Sequence, residues 1–109
     1  MPMSPSKLLD VSVDGDRCVG RSSVDRYIAA LERIGLEKVN ELGIEISDWP
    51  IVGREAPQEA EKYRYSHGWW VRTCLSNSEK HSILERIRRR LPDRRIVVTL
   101  MDVREELLA

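Results

Sequence analysis

Lys62-Tyr63-Arg64-Tyr65-Ser66-His67-Gly68-Trp69-Trp70-Val71-Arg72-Thr73-Cys74-Leu75 is the stretch on which the architecture turns. It is rich in aromatic side chains and holds no proline, so it reads as strand. Two geometries compete for it. As one long bent strand it sets Tyr63, Tyr65, His67, Trp69, Val71 and Thr73 on one face, and Arg64, Ser66, Gly68, Trp70 and Arg72 on the other. As a hairpin it folds at Ser66-His67-Gly68. One of the adjacent tryptophans must then point away from a helix-covered core.

Downstream, Ser76 with Glu79 fits a capping box, and Ile83, Leu84, Ile87 and Leu91 make the apolar stripe of a helix that Pro92-Asp93 closes. Residues 95–101 read as a last strand, apolar on both faces and so expected at the centre of a sheet. Upstream, Gly43-Ile44-Glu45-Ile46-Ser47-Asp48-Trp49 alternates as a strand ended by Pro50. Residues 53–61 read as a polar loop with a helical turn after Pro57. An earlier helix is capped by Ser22 or Ser23. Val24, Tyr27, Ile28, Leu31 and Ile34 form its buried stripe, and Gly35 stops it. A short turn through Leu36, Val39 and Leu42 extends to Gly43. Residues 7–13 form the first strand, with Leu9, Val11 and Val13 on one face and turn chemistry at Asp14-Gly15-Asp16.

This order, β-α-β-β-α-β, predicts an α+β chain of ferredoxin-like arrangement: a four-stranded antiparallel sheet with two helices on one face. Residues 1–6 are expected to be a loose lead, 7–101 the single domain and 102–109 a charged tail.

The 109 residues suit one core. Eighteen basic residues balance eighteen acidic ones, which argues against a generally basic nucleic-acid coat. No apolar run reaches the roughly 18 residues of a membrane span, and the first residues lack the apolar stretch of a secretory signal. Cys18 and Cys74 are expected to be reduced thiols of a cytoplasmic protein, with a single bridge between them left open.

The neutral chain is internally polarised. Residues 72–95 hold eight basic against three acidic residues, a net of +5, whereas residues 25–61 hold nine acidic against four basic, a net of −5. The arginines Arg86, Arg88, Arg89 and Arg90, followed by Arg94 and Arg95, suit a helix end and are also where a phosphate backbone would sit.

Motifs of chemistry are sparse. Gly15-Asp16-Arg17-Cys18-Val19-Gly20-Arg21-Ser22 has the spacing of a phosphate-binding loop, but Arg21 stands where lysine is needed. What survives is an anion site formed by Arg17, Arg21 and the helix start. Neither His67 nor His81 lies at metal-ligand spacing, and no acid in the sequence can be assigned to orient His67. No catalytic residue, metal or cofactor is therefore implied.

The expected function is a small non-enzymatic binding or regulatory module, such as an inhibitor, immunity-type protein or accessory subunit. It would contact a partner protein or its own copy through Trp69, Trp70, Arg64, Arg72 and Tyr65. One alternative is a nucleic-acid binder using the basic helix over residues 86–95 and the sheet aromatics. The other is a ligand-binding or enzymatic ferredoxin-like dimer with a pocket lined by Tyr63, His67 and Trp69. No membrane partner is expected.

Overall fold

Leu9, Val11 and Val13 alternate along β1 (Lys7–Val13) and are almost wholly buried, so one face of this strand is committed to the core. A computed structural model describes residues 7–102 of the chain. The 1–6 lead and the tail from 103 on lie outside the described residues, and Asp102 closes the last strand. After β1, Asp14 and Gly15 both adopt positive φ, 53° and 89°, and turn the chain into the two-residue β2 (Asp16–Arg17). Positive φ at both central residues is what a type I′ hairpin turn needs.

Ser22 caps α1 (Ser23–Ile34) by accepting from the Asp25 amide, and Gly35, at φ 110°, separates it from α2 (Leu36–Glu41). Two more tight ribbons follow. β3 (Glu45–Ile46) pairs with β4 (Trp49–Pro50) across Ser47 and Asp48, both with positive φ. Beyond β5 (Val52–Gly53) and a 3-10 turn at Ala60–Lys62, β6 (Tyr63–Ser66) folds back on β7 (Trp69–Arg72) across His67 and Gly68, again with positive φ at both. The aromatic stretch is thus a hairpin. The capping box of Ser76 and Glu79 then starts α3 (Asn77–Arg90), and β8 (Ile96–Asp102) returns antiparallel to β1.

The single four-stranded ferredoxin-like sheet does not form. The described residues make an α+β fold of three helices and three sheets, in the orders β2-β1-β8, β3-β4 and β5-β7-β6. The reason lies on the outer edge of β1. A ferredoxin-like sheet would pair a strand of the aromatic hairpin there, yet three outward backbone groups near its middle are already taken. The Leu9 amide donates to Ser23 Oγ (3.0 Å), the Leu9 carbonyl accepts from Arg26 (3.0 Å), and the Val11 carbonyl accepts from the Cys18 amide (2.8 Å). A ladder needs those groups free. The last strand is correspondingly at an edge rather than at the centre, with Val97 59% exposed.

The two larger sheets nevertheless share one core. Leu9, Val11, Val13, Ile96 and Val98 from the first meet Val52, Trp69 and Val71 from the second, together with Tyr27, Leu31 and Ile34 of α1 and Ile83, Leu84 and Ile87 of α3. Polar contacts tie the hairpin to α1: Arg64 pairs with Asp25 at 3.3 Å, and Ser66 Oγ donates to Glu32 at 3.0 Å.

Candidate functional site

The register of β6 and β7 decides which aromatics face outward. Tyr63 lies opposite Arg72, Arg64 opposite Val71, Tyr65 opposite Trp70 and Ser66 opposite Trp69. Residues directly opposite share a face. Trp69 and Val71 therefore turn inward with Arg64 and Ser66, and Tyr63, Tyr65, Trp70 and Arg72 form the outer face. Trp69 is only 8% exposed and is covered by Arg54, whose guanidinium carbon lies 4.2 Å from the ring centroid. On the outer face Tyr65 and Trp70 meet edge to face, with centroids 5.3 Å apart and planes at 67°. Tyr65 remains 60% exposed. Arg72 lies over the Tyr63 ring at 5.8 Å.

The short ribbons extend this face into a groove. The Ile51 amide donates to the Ile44 carbonyl, the Arg72 amide to the Ile51 carbonyl, and Asn40 Nδ2 to the Val52 carbonyl, which anchors the ribbons beside β7. Tyr63 donates its hydroxyl to the Pro50 carbonyl at 3.2 Å, closing the near wall. The result is a depression of about 410 Å³ lined by Trp49, Pro50, Gly53, Pro57, Tyr63 and Trp70. It adjoins a smaller one of about 210 Å³ that shares Trp49, Pro57 and Tyr63 and is bounded by Lys62 and Arg72. At its rim Glu59 pairs with Lys62, whose ammonium holds that carboxyl below the usual range. Arg72 Nε is shielded and has no hydrogen-bond partner among the described residues.

Of the five residues expected to bind a partner, the fold brings Tyr65, Trp70 and Arg72 together. Trp69 lies on the opposite side of the hairpin, and Arg64 extends from that side to α1. The groove walls Trp49, Pro50 and Pro57 were not singled out from the sequence as binding residues. Their contribution depends on a turn at Ser47-Asp48, which lacks the glycine that usually marks such a turn.

The anion residues are dispersed. Arg17 pairs with Asp10 at 2.9 Å, and Arg21 is exposed in the loop before α1. A Cβ on Gly20 would stand 2.5 Å from that of Asp25, so the loop with phosphate-site spacing is packed onto the helix start and leaves no cradle. On α3, Arg86, Arg89 and Arg90 are exposed, whereas Arg88 is held by Glu85 at 2.7 Å.

The enzymatic alternative finds no converging pocket. Tyr63 is on the outer face, Trp69 on the inner face and His67 at the hairpin tip. Glu32 supplies an acid near His67, at 3.1 Å from Nε2. The same carboxylate oxygen also accepts from Ser66, so the acid stands between serine and histidine. A relay that activates serine needs the histidine in that place.

Cys18 is buried and its thiol is pushed up, chiefly by that burial, which is the opposite of an activated thiolate. Cys74, part of the stretch that reads as strand, lies beyond β7 and is exposed; both cysteines are free. No group of three or more His, Cys, Asp or Glu among the described residues could hold a metal ion. No described helix is long and apolar enough to cross a membrane. Comparison with protein-family models, with curated proteins and with solved structures finds no match to this chain.

Proposed function

We propose that the protein is a small non-enzymatic binding module that engages a partner protein through the outer face of the β5-β7-β6 sheet. The observation that carries this reading is the edge-to-face Tyr65–Trp70 pair, which continues into the groove of Trp49, Pro50 and Tyr63. Large aromatic side chains on the solvent face of a sheet cost solubility and add little to the core, whereas in an interface they supply the anchoring contacts. Together the hairpin face and the groove offer the centre of an interface of ordinary size, about 800 Å² on each side.

The test is co-purification from the native host, read by mass spectrometry, with the wild-type chain and with Trp70→Ala and Tyr65→Ala. Proteins retained by the wild type and lost with both variants, while both variants stay folded, support the reading. Identical recovery with all three chains overturns it.

A further inference from the structure

A second surface shares no residue with the aromatic groove and is built by the last turns of α3 and the loop into β8. Arg86, Arg89 and Arg90 are exposed, and their i, i+3, i+4 spacing sets them along one stripe of the helix, apart from the buried Ile83, Leu84 and Ile87. Pro92 borders two depressions at the helix end. One, of about 450 Å³, is lined by Arg88, Arg89, Arg94, Arg95 and Val97, and the other, of about 290 Å³, by Lys38, Arg90, Asp93 and Arg94.

The fold holds this surface in place. Arg94 donates to Asp14 Oδ2 at 2.8 Å and to the carbonyls of Ile34 and Arg33 at 3.1 Å, which ties the loop to the end of α1. The Arg95 amide donates to Asp14 Oδ1 at 3.0 Å, and the Arg95 carbonyl accepts from the Asp14 amide at 2.7 Å. The Arg95 guanidinium lies against the turn between β1 and β2, where a Cβ on Gly15 would meet it at 3.2 Å. Arg94 is neutralised by Asp14, Arg88 by Glu85 and Lys38 by Glu41. Arg86, Arg89, Arg90 and Arg95 have no carboxylate within ion-pair distance among the described residues. Four exposed guanidiniums are thus left uncompensated around a fixed loop.

The geometry points to this surface as a docking site for a nucleic-acid duplex, held through its phosphate backbone. Guanidinium forks match phosphate oxygens two at a time, and the backbone supplies a closely spaced row of anions for the four arginines. A partner protein fits this surface less well. The centre of a protein interface is depleted in charge, whereas the exposed apolar residues lining these depressions are only Pro92 and Val97. A single strand also fits less well, because it is gripped by aromatic rings on which its bases stack, and no aromatic residue lines either depression. The site is separate from the aromatic face and does not depend on what that face binds.

Fluorescence anisotropy of labelled DNA and RNA duplexes, titrated with the full chain over a salt series, is the test. The wild type is expected to bind both. For four phosphate contacts the log affinity should fall against log salt with a slope of about −3 to −4, or roughly a hundredfold between about 50 and 200 mM salt. Arg89→Gln/Arg90→Gln is expected to bind about tenfold more weakly or worse at low salt, with a slope shallower by about 2. Neither side chain makes an ion pair in the fold, so the urea midpoint of this variant should equal that of the wild type. Arg21→Gln, which removes an exposed arginine elsewhere, and Trp70→Ala are expected to bind the duplexes as the wild type does. Failure to bind either duplex at low salt overturns the inference, and so does unchanged affinity in the Arg89→Gln/Arg90→Gln variant. Competition by polyglutamate as effective as that by duplex would make the surface a protein-docking patch instead. Tighter binding of single strands, or loss of the duplex with Trp70→Ala, would move the nucleic acid to the aromatic face and overturn it as well.

Discussion

Trp69 and Trp70 are neighbours in the chain, and replacing each by alanine should have opposite consequences. Trp69 is 8% exposed, packs in the core cluster and carries Arg54 on its ring. Truncating a core aromatic costs about 3–5 kcal/mol through lost burial and the cavity left behind. Trp70 is half-buried on the outer face, where alanine removes the edge contact to Tyr65, worth about 0.5–1.5 kcal/mol. With some additional lost burial, its total should be near 1–2 kcal/mol. The gap of about 2–3 kcal/mol corresponds to roughly 1–2 M in the urea midpoint for a chain of this size. Urea titration followed by far-UV circular dichroism measures it without relying on the fluorophores being removed. Partner retention should show the reverse order, lost with Trp70→Ala and kept by whatever fraction of Trp69→Ala remains folded. Equal midpoints, or a larger loss at Trp70, would refute the assigned faces of the hairpin and with them the binding surface.

Other consequences are as direct. Tyr27 is wholly buried, its hydroxyl has no hydrogen-bond partner among the described residues, and burial pushes its ionisation up. Tyr27→Phe removes an unsatisfied group and should therefore raise stability by about 1 kcal/mol, read as a higher urea midpoint. Gly20→Ala places a methyl against Asp25 and the backbone of Arg26 and should cost about 1–3 kcal/mol in the same titration. Asp14 accepts from the Arg95 amide and from Arg94, and these bonds hold its carboxyl below the ordinary value of 3.8. A depressed folded value means that its stabilisation is complete above the unfolded value and is lost as pH falls through the folded one. Wild-type midpoints should consequently drop below about pH 4, and Asp14→Asn should lower the neutral-pH midpoint while flattening that acid loss. An unchanged acid slope in Asp14→Asn would remove Asp14 from the explanation.

Much of the local structure was legible in the sequence. Both long helices carry their own start signals, Ser22 before α1 and the Ser76–Glu79 box before α3, and their stripes follow the helical period. Capping and periodicity act over a few residues, which is why they read directly. The ribbon at Ser47-Asp48 was missed because both residues sit at positive φ without a glycine to announce it. The groove inherits that blindness, since Trp49 and Pro50 reach it only after the turn. The aromatic stretch was legible as strand, and its adjacent tryptophans as a pair facing opposite ways.

The sequence by itself determined an α+β chain, its helices, its aromatic cluster and the opposed charge of residues 25–61 and 72–95. Only the tertiary structure decided the number of sheets and which tryptophan faces out. The physical reason is that strand pairing is settled by whichever group reaches a free backbone edge. On β1 that contest went to Ser23, Arg26 and Cys18, 14 and 17 residues from Leu9 in the first two cases. A hydroxyl, a guanidinium and one amide thus diverted the aromatic hairpin into a sheet of its own, and no period along the chain records that competition.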